Sequence, residues 1–309
     1  MPLDPAARCA GLSVALSLCL TACGDAKPPA STPSPSAAAP RPAAVPRPED
    51  QLPAPQCPPR ATTAAAGPDI VGLRLGMGFD EALNHARCAV QDGTVGFSPR
   101  WYPQLRPGRV VLERQMFTVQ RGDTVDCSFR QLGDAQKCGL GRREWRHIDE
   151  QITVAAPGLP GRQTVQALWR QQHWKPGQMP SRDAVLTALR DKYGPESALR
   201  SDQHGTVVWR QDAAGRRLVP PDPRYDQCHG PAARATSSQG WREGCGFTVT
   251  ADLVPPRDNP ALVQSLYVGL MHQEQLLRHG DALQAELDRV EAERRRSELQ
   301  QAGGNTPKL

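Results

Sequence analysis

The sequence predicts an α+β fold: an antiparallel sheet with a few packed helices, preceded by a disordered Pro/Ala-rich tether. Three observations carry this. Short β-type runs recur along the chain, and residues 247–253 alternate apolar and polar cleanly. Only one or two helix-type segments fall between runs of strands, which argues for antiparallel pairing rather than βαβ units. Residues 24–68 hold 13 Pro and 12 Ala in 45 positions, too little apolar side chain to offset the entropy of ordering.

The 309 residues are 39% hydrophobic but only 5% aromatic, which is thin for one large core. No apolar run approaches about 18 residues, so a multi-pass membrane protein is excluded. The net charge of +5 is too mild to argue for nucleic acid.

The elements follow in order. Residues 9–20 form an uncharged run of 12, short for a membrane span and right for the h-region of a secretory signal. Arg8 supplies the preceding charge, and the run ends Leu20-Thr21-Ala22-Cys23-Gly24. This resembles the bacterial lipobox, which implies that Cys23 is acylated and becomes the first mature residue. Several acyl chains hold a protein firmly to a bilayer. By resemblance to lipoprotein sorting patterns, Gly24 favours the outer membrane over the inner, with the domain facing the periplasm. The tether, as polyproline II at about 3.1 Å per residue, could reach roughly 140 Å.

Asp69-Ile70-Val71-Gly72-Leu73-Arg74-Leu75-Gly76-Met77 reads as a short strand and a Gly-rich turn. Residues 79–86 follow with helical spacing, and Asp80 and Glu81 complement the helix dipole in its first turn. Residues 110–119 and 124–129 read as two strands broken at Arg121-Gly122-Asp123, and residues 150–155 as another. Gly158-Leu159-Pro160-Gly161 is a loop, and residues 164–172 are expected as a helix. Ser181 is the expected N-cap of a helix whose apolar face is Val185, Leu186 and Leu189, stopped at Tyr193-Gly194-Pro195. Residues 206–210 are strand-like, with 217–219 as the hairpin partner across the turn at 212–215. Residues 247–253 and 263–271 close the sheet. Residues 276–299 are helical, with Leu283, Leu287 and Val290 spaced for one docked face. The segments are therefore 1–22 signal, 23–68 tether, 69–280 domain, and 281–309 C-terminal helix with a frayed tail.

The run from Ile70 to Met77 with Glu81-Ala82, together with Lys192-Tyr193-Gly194-Pro195, resembles two motifs of uncharacterised proteobacterial periplasmic lipoproteins. A Gly-Met turn opening a short helix beside antiparallel strands is also similar to the small modules of outer-membrane assembly lipoproteins and β-lactamase inhibitor proteins. The resemblance carries over no catalytic residue.

Setting aside Cys9, Cys19 and Cys23 leaves six cysteines: Cys57, Cys88, Cys127, Cys138, Cys228 and Cys245. An even count in an exported chain reads as disulfides, with 15 possible connectivities. Sequence neighbours suggest Cys127–Cys138 and Cys228–Cys245, leaving Cys57–Cys88 to pin the tether to the domain. The metal alternatives, Cys228-His229 with His204 or Cys127 and Cys138 with His147, lack any C-x-x-C or H-E-x-x-H spacing. No metal or cofactor is expected. There is no G-x-S-x-G elbow and no P-loop lysine. Asp80-Glu81 reads as capping acids, and His173 and His272 as packed or surface side chains.

Residues 100–146 hold ten Lys/Arg against five Asp/Glu. Trp101, Tyr102, Arg142, Arg143 and Trp145 make this stretch a candidate basic and aromatic binding face. The expectation is a non-enzymatic envelope lipoprotein that binds a protein or glycan, held at the membrane by its lipid. The alternatives are an envelope hydrolase, an inhibitor of one, or a passive spacer.

Overall fold

The computed structural model describes residues 52–57, 68–99, 105–126, 144–200, 205–233 and 241–304. The expected signal, the acylation site Cys23, most of the tether, Cys127, Cys138, Trp101, Tyr102, Arg142 and Arg143 lie outside these residues. Trp145 is placed by its backbone alone, opposite Val125 in the sheet.

Eight antiparallel strands form one open sheet in the order β1-β2-β3-β4-β8-β7-β6-β5. Among the described residues three helices accompany it, so the fold is α+β. Helix α1 (Phe79–Ala89) precedes β1 (Thr94–Ser98), β2 (Met116–Asp126), β3 (Glu144–Ala155) and β4 (Ala167–His173). Helix α2 (Arg182–Tyr193) precedes β5 (Ala198–Leu199), β6 (Thr206–Asp212), β7 (Cys245–Val254) and β8 (Ser265–His272). Among the described residues, one helix followed by four strands thus occurs twice. The two halves join by antiparallel pairing of β4 with β8, and the strand order reads outward from that seam in the same sense on both sides.

Pairing register explains which face is core. Phe97, Phe117, Val154, Leu168, Leu270, Val249 and Trp209 stand opposite one another across seven strands. That apolar row belongs to the main core, together with Phe79, Ala82, Leu83 and Ala86 of α1 and Val185, Leu186 and Leu189 of α2. Both helices therefore cover the same face. The opposite face carries Met116, Ala155, Ala167, Trp169 and Met271, packed against Leu276. Leu276 belongs to α3 (Gln273–Ala302), which begins directly after β8 with His272 as N-cap. Leu283 and Leu287 of α3 dock on Leu159, with Val290 beside them. The helix runs unbroken through position 281, and its distal turns are laced by pairs such as Arg289–Glu293.

Several elements differ from the sequence expectation. Residues 164–172 are not a helix, because β4 occupies 167–173. This strand lies at the seam with both faces partly covered, so apolar residues fall on both sides and blur the period of two. Of the short strand and Gly-rich turn expected over 69–77, the strand is absent among the described residues, and a tight turn begins already at Ile70. Ile70 and Leu73 exchange backbone hydrogen bonds of 3.0 and 2.9 Å across Val71 and Gly72, both at positive φ (48° and 85°). Strand β2 starts only at Met116 and continues through Arg121-Gly122, where a register shift replaces the expected break. A Cβ on Gly122 would fall 1.8 Å from the His147 carbonyl oxygen, so glycine lets the strands pass there. Residues 217–219 make a single bridge to β6, from Arg217 to Gln211. The ladder partners of β6 are β5 and β7.

Disulfides join Cys57 to Cys88 and Cys228 to Cys245. The first ties residues 52–57 to the last turn of α1. Asn84 also exchanges two hydrogen bonds with the Gln56 backbone (2.7 and 2.8 Å), and Arg87 donates to the Pro53 carbonyl at 2.6 Å. Six residues assigned by composition to the tether therefore lie on the domain, with Leu52 against the main core. The second disulfide is buried among Val208, Leu218 and Tyr225.

Candidate functional site

Beside the seam, on the helix-covered face, α2 and the sheet border a cleft of about 400 Å³. Its floor comes from β4 and β8: Arg170, Gln172, Leu266 and Val268. Its wall is α2, through Val185, Leu189 and the last-turn residues Lys192 and Tyr193. The turn residues Ile70 and Val71 close one side, and Trp174 stands on another. An apolar cleft of this size with a few convergent polar groups is the usual form of a small-molecule site.

The polar end follows from strand alternation. Leu168, Arg170 and Gln172 share the helix-facing side of β4, so a guanidinium emerges where the neighbouring rows are apolar. Its partner is Glu150 on β3, 8% exposed. Arg170 Nη2 and Nε donate to Glu150 Oε1 at 2.6 and 3.0 Å, and Arg121 Nη2 lies 3.5 Å from Oε2. Burying a carboxylate is costly unless it is paired and hydrogen-bonded, and here two cations share it.

The end of α2 is fixed from the first half of the chain. Lys192 Nζ lies 2.8 Å from Asp69 Oδ1, and the Tyr193 hydroxyl donates to the Asp69 carbonyl at 2.8 Å. Burial pushes the Tyr193 hydroxyl pKa well up, the Asp69 carboxylate adds to this, and Arg170 opposes it. The Tyr193 ring packs 5.4 Å from Trp209, whose Nε1 donates to the Gly194 carbonyl at 2.8 Å. Gly194 caps the helix at φ 77°. The two motifs noted in the sequence, the turn after Asp69 and Lys192-Tyr193-Gly194-Pro195, thus meet at one end of the cleft although more than a hundred residues separate them.

The remaining candidates are placed elsewhere. Asp80 and Glu81 are exposed on the first turn of α1. Cys228 is in a disulfide, so it cannot join His229 as a thiolate ligand. Among the described residues, no group of three or more His, Cys, Asp or Glu is arranged to hold a metal ion. His173 Nδ1 lies 2.8 Å from Ser265 Oγ, its ring stands edge-on to His147 at 4.6 Å, and His147 Nε2 is 3.4 Å from Asp149. Burial lowers the His173 pKa, the His147 charge lowers it further, and Asp149 opposes.

Sequence reasoning passed over Arg170, Glu150 and the Lys192–Asp69 pair. The available signal was a charged residue inside an apolar strand run, as at Glu150 before Ile152 and Arg170 after Leu168-Trp169. Comparison of the chain with protein-family models, curated proteins and solved structures found no match.

Proposed function

We propose that this protein is a cell-envelope lipoprotein, anchored through Cys23, whose domain works by binding an apolar ligand in the cleft rather than by catalysis. The observation that carries the reading is the cleft itself: its walls are apolar, and the charged groups at its end are engaged in ion pairs with Glu150 and Asp69. Groups so paired orient a ligand more readily than they exchange protons with it. The lipobox and the two disulfides support an exported, membrane-tethered chain. The basic stretch with Trp101, Tyr102, Arg142, Arg143 and Trp145 belongs to the same reading as a contact face for an envelope protein or glycan.

The test is titration of the full-length chain with a neutral apolar fluorophore, N-phenyl-1-naphthylamine. Saturable one-to-one binding is expected, with loss when Ala188→Trp fills the rim of the cleft. Binding that is absent, or indifferent to Ala188→Trp, rejects the cleft as a ligand site.

An envelope hydrolase is the second reading, favoured by the 2.8 Å contact of Ser265 with His173. It ranks below binding because Ser265 is buried and its strand is paired on both sides, at His173 and Val254. Esterase activity toward a short-chain ester that disappears in Ser265→Ala would reverse this order.

A further inference from the structure

The charges around the cleft are arranged asymmetrically. Among the described residues, the charged side chains that line it, Arg170 and Lys192, are both cations, and no carboxylate lines it. Their acids, Glu150 and Asp69, stand behind them. Arg121, Arg170 and Glu150 together carry one net positive charge. Arg170 spends Nε and Nη2 on Glu150, and among the described residues no bond from Nη1 accompanies them. Both cations line the cleft together with Tyr193. Lys192 Nζ is 5.8 Å from the centre of the Tyr193 ring, and the Arg170 charge acts on the hydroxyl of that same ring. Much of the remaining lining is hydrocarbon, from Val185, Leu189, Leu266 and Val268, with Val268 directly across the ladder from Arg170. At roughly 30 Å³ for a water-sized group, 400 Å³ takes about a dozen such groups.

We propose that the cleft holds a single-chain amphiphile with an anionic head, the head at Arg170 and Lys192 and a chain of about ten to twelve carbons along the apolar wall. This rests on the reading of the cleft as a ligand site and adds the class of ligand. A charge-assisted hydrogen bond is about twice as strong as a neutral one, so the cationic end selects an anion over an alcohol of equal length. Free carboxylate and lipid phosphodiester share this chemistry.

The experiment is calorimetric titration of the full-length chain carrying Cys23→Ser, so that neither anchor nor detergent competes. The probes are dodecanoate, dodecanoyl lysophosphatidylglycerol, dodecanol and dodecyltrimethylammonium, each below its micellar concentration. At least one anion should bind about tenfold or more tighter than dodecanol, and the ammonium should bind weakest. The tighter anion names the source, and either one supports the proposal. In Lys192→Gln and in the paired variant Glu150→Gln/Arg170→Gln, which strands no buried charge, the preference for anion over alcohol should fall about fivefold or more. Equal binding of dodecanol and the anions, or a preference unchanged in both variants, overturns the anionic head but leaves the cleft as an apolar site. No binding of any probe, together with no binding of the neutral fluorophore, overturns both.

Discussion

The two halves of the sheet repeat the same order of elements and cover the same face, yet they pack differently. In the first half, the Phe79 ring meets Phe117 edge-on at 5.2 Å and stacks on Phe97 at 6.2 Å. Ala82 and Ala86, both fully buried, add small side chains to that contact. In the second half, α2 presents Val185, Leu186 and Leu189, and the strand residues near it include Arg170 and Gln172. A cleft lies between this helix and those strand residues. One order of elements thus carries an aromatic cluster under α1 and a cleft beside α2.

The largest expected effect tests this contrast in the core. Phe117→Ala should cost about 3–5 kcal/mol in urea unfolding, and Leu189→Ala about 2 kcal/mol, because its site already borders open volume. Equal costs would mean the halves are packed alike. The disulfides give the next effect. Removing either should cost about 3–4 kcal/mol through the unfolded chain. Mild reduction of the native protein followed by alkylation and mass spectrometry should open Cys57–Cys88 first, since Cys57 is exposed while Cys228 and Cys245 are buried. Simultaneous opening would signal global unfolding instead.

Enlarging the small residues sharpens the comparison further. Ala82→Leu should cost about 1–3 kcal/mol by overpacking α1, whereas Ala188→Leu, exposed at the cleft rim, should change stability by less than about 0.5 kcal/mol. Helix starts differ as well. The Ser181 side chain accepts from the Ala184 amide at 3.2 Å, while Gly78 offers α1 no side-chain cap. Ser181→Ala should cost about 1 kcal/mol. Gly78→Ser should gain a few tenths of a kcal/mol, because a Cβ there meets no atom within 4 Å. Thermal melts of the two variants should move in opposite directions.

The smallest effect is a pH dependence in the second half. Hydrogen bonding from Arg190 holds Glu196 down at about 2. A depressed carboxyl contributes stability above its unfolded value, and that contribution fades as pH falls toward about 2. Glu196→Gln should therefore lower the melting temperature slightly at pH 7 and leave it unchanged near pH 2. The pair is solvent-accessible and screened, so 0.5 M salt should shrink the difference.

Much of the fold was legible in local chemistry. Asp80 and Glu81 in a first turn, Ser181 as a cap and Gly194 as a stop mark α1 and α2, because caps and dipoles act within a few residues. The alternation at 247–253 marks β7, since only one periodicity suits a strand there. The seam strand β4 was misread as a helix because partial burial of both its faces removes the alternation that a half-buried strand displays. A Gly-rich turn was legible within 69–77, but not its start at Ile70 in place of a strand, because that depends on a positive φ at Val71, which no local preference announces. The cleft left even less trace. Its ion pairs bring Arg170 to Glu150 across neighbouring strands, and Lys192 to Asp69 across 123 positions.

By itself, the sequence determined the α+β class, the helices α1, α2 and α3 and the segment too poor in apolar side chains to build a core, because each follows from propensity, periodicity and composition over short windows. Only the tertiary structure decided that, among the described residues, one helix-and-four-strand order occurs twice, that β4 and β8 join the halves, and that a cleft lined by Arg170 and Lys192 opens beside the seam. Those outcomes depend on which side chains meet after distant segments pair, and pairing register and packing volume are properties of the assembled sheet, not of any window along the chain.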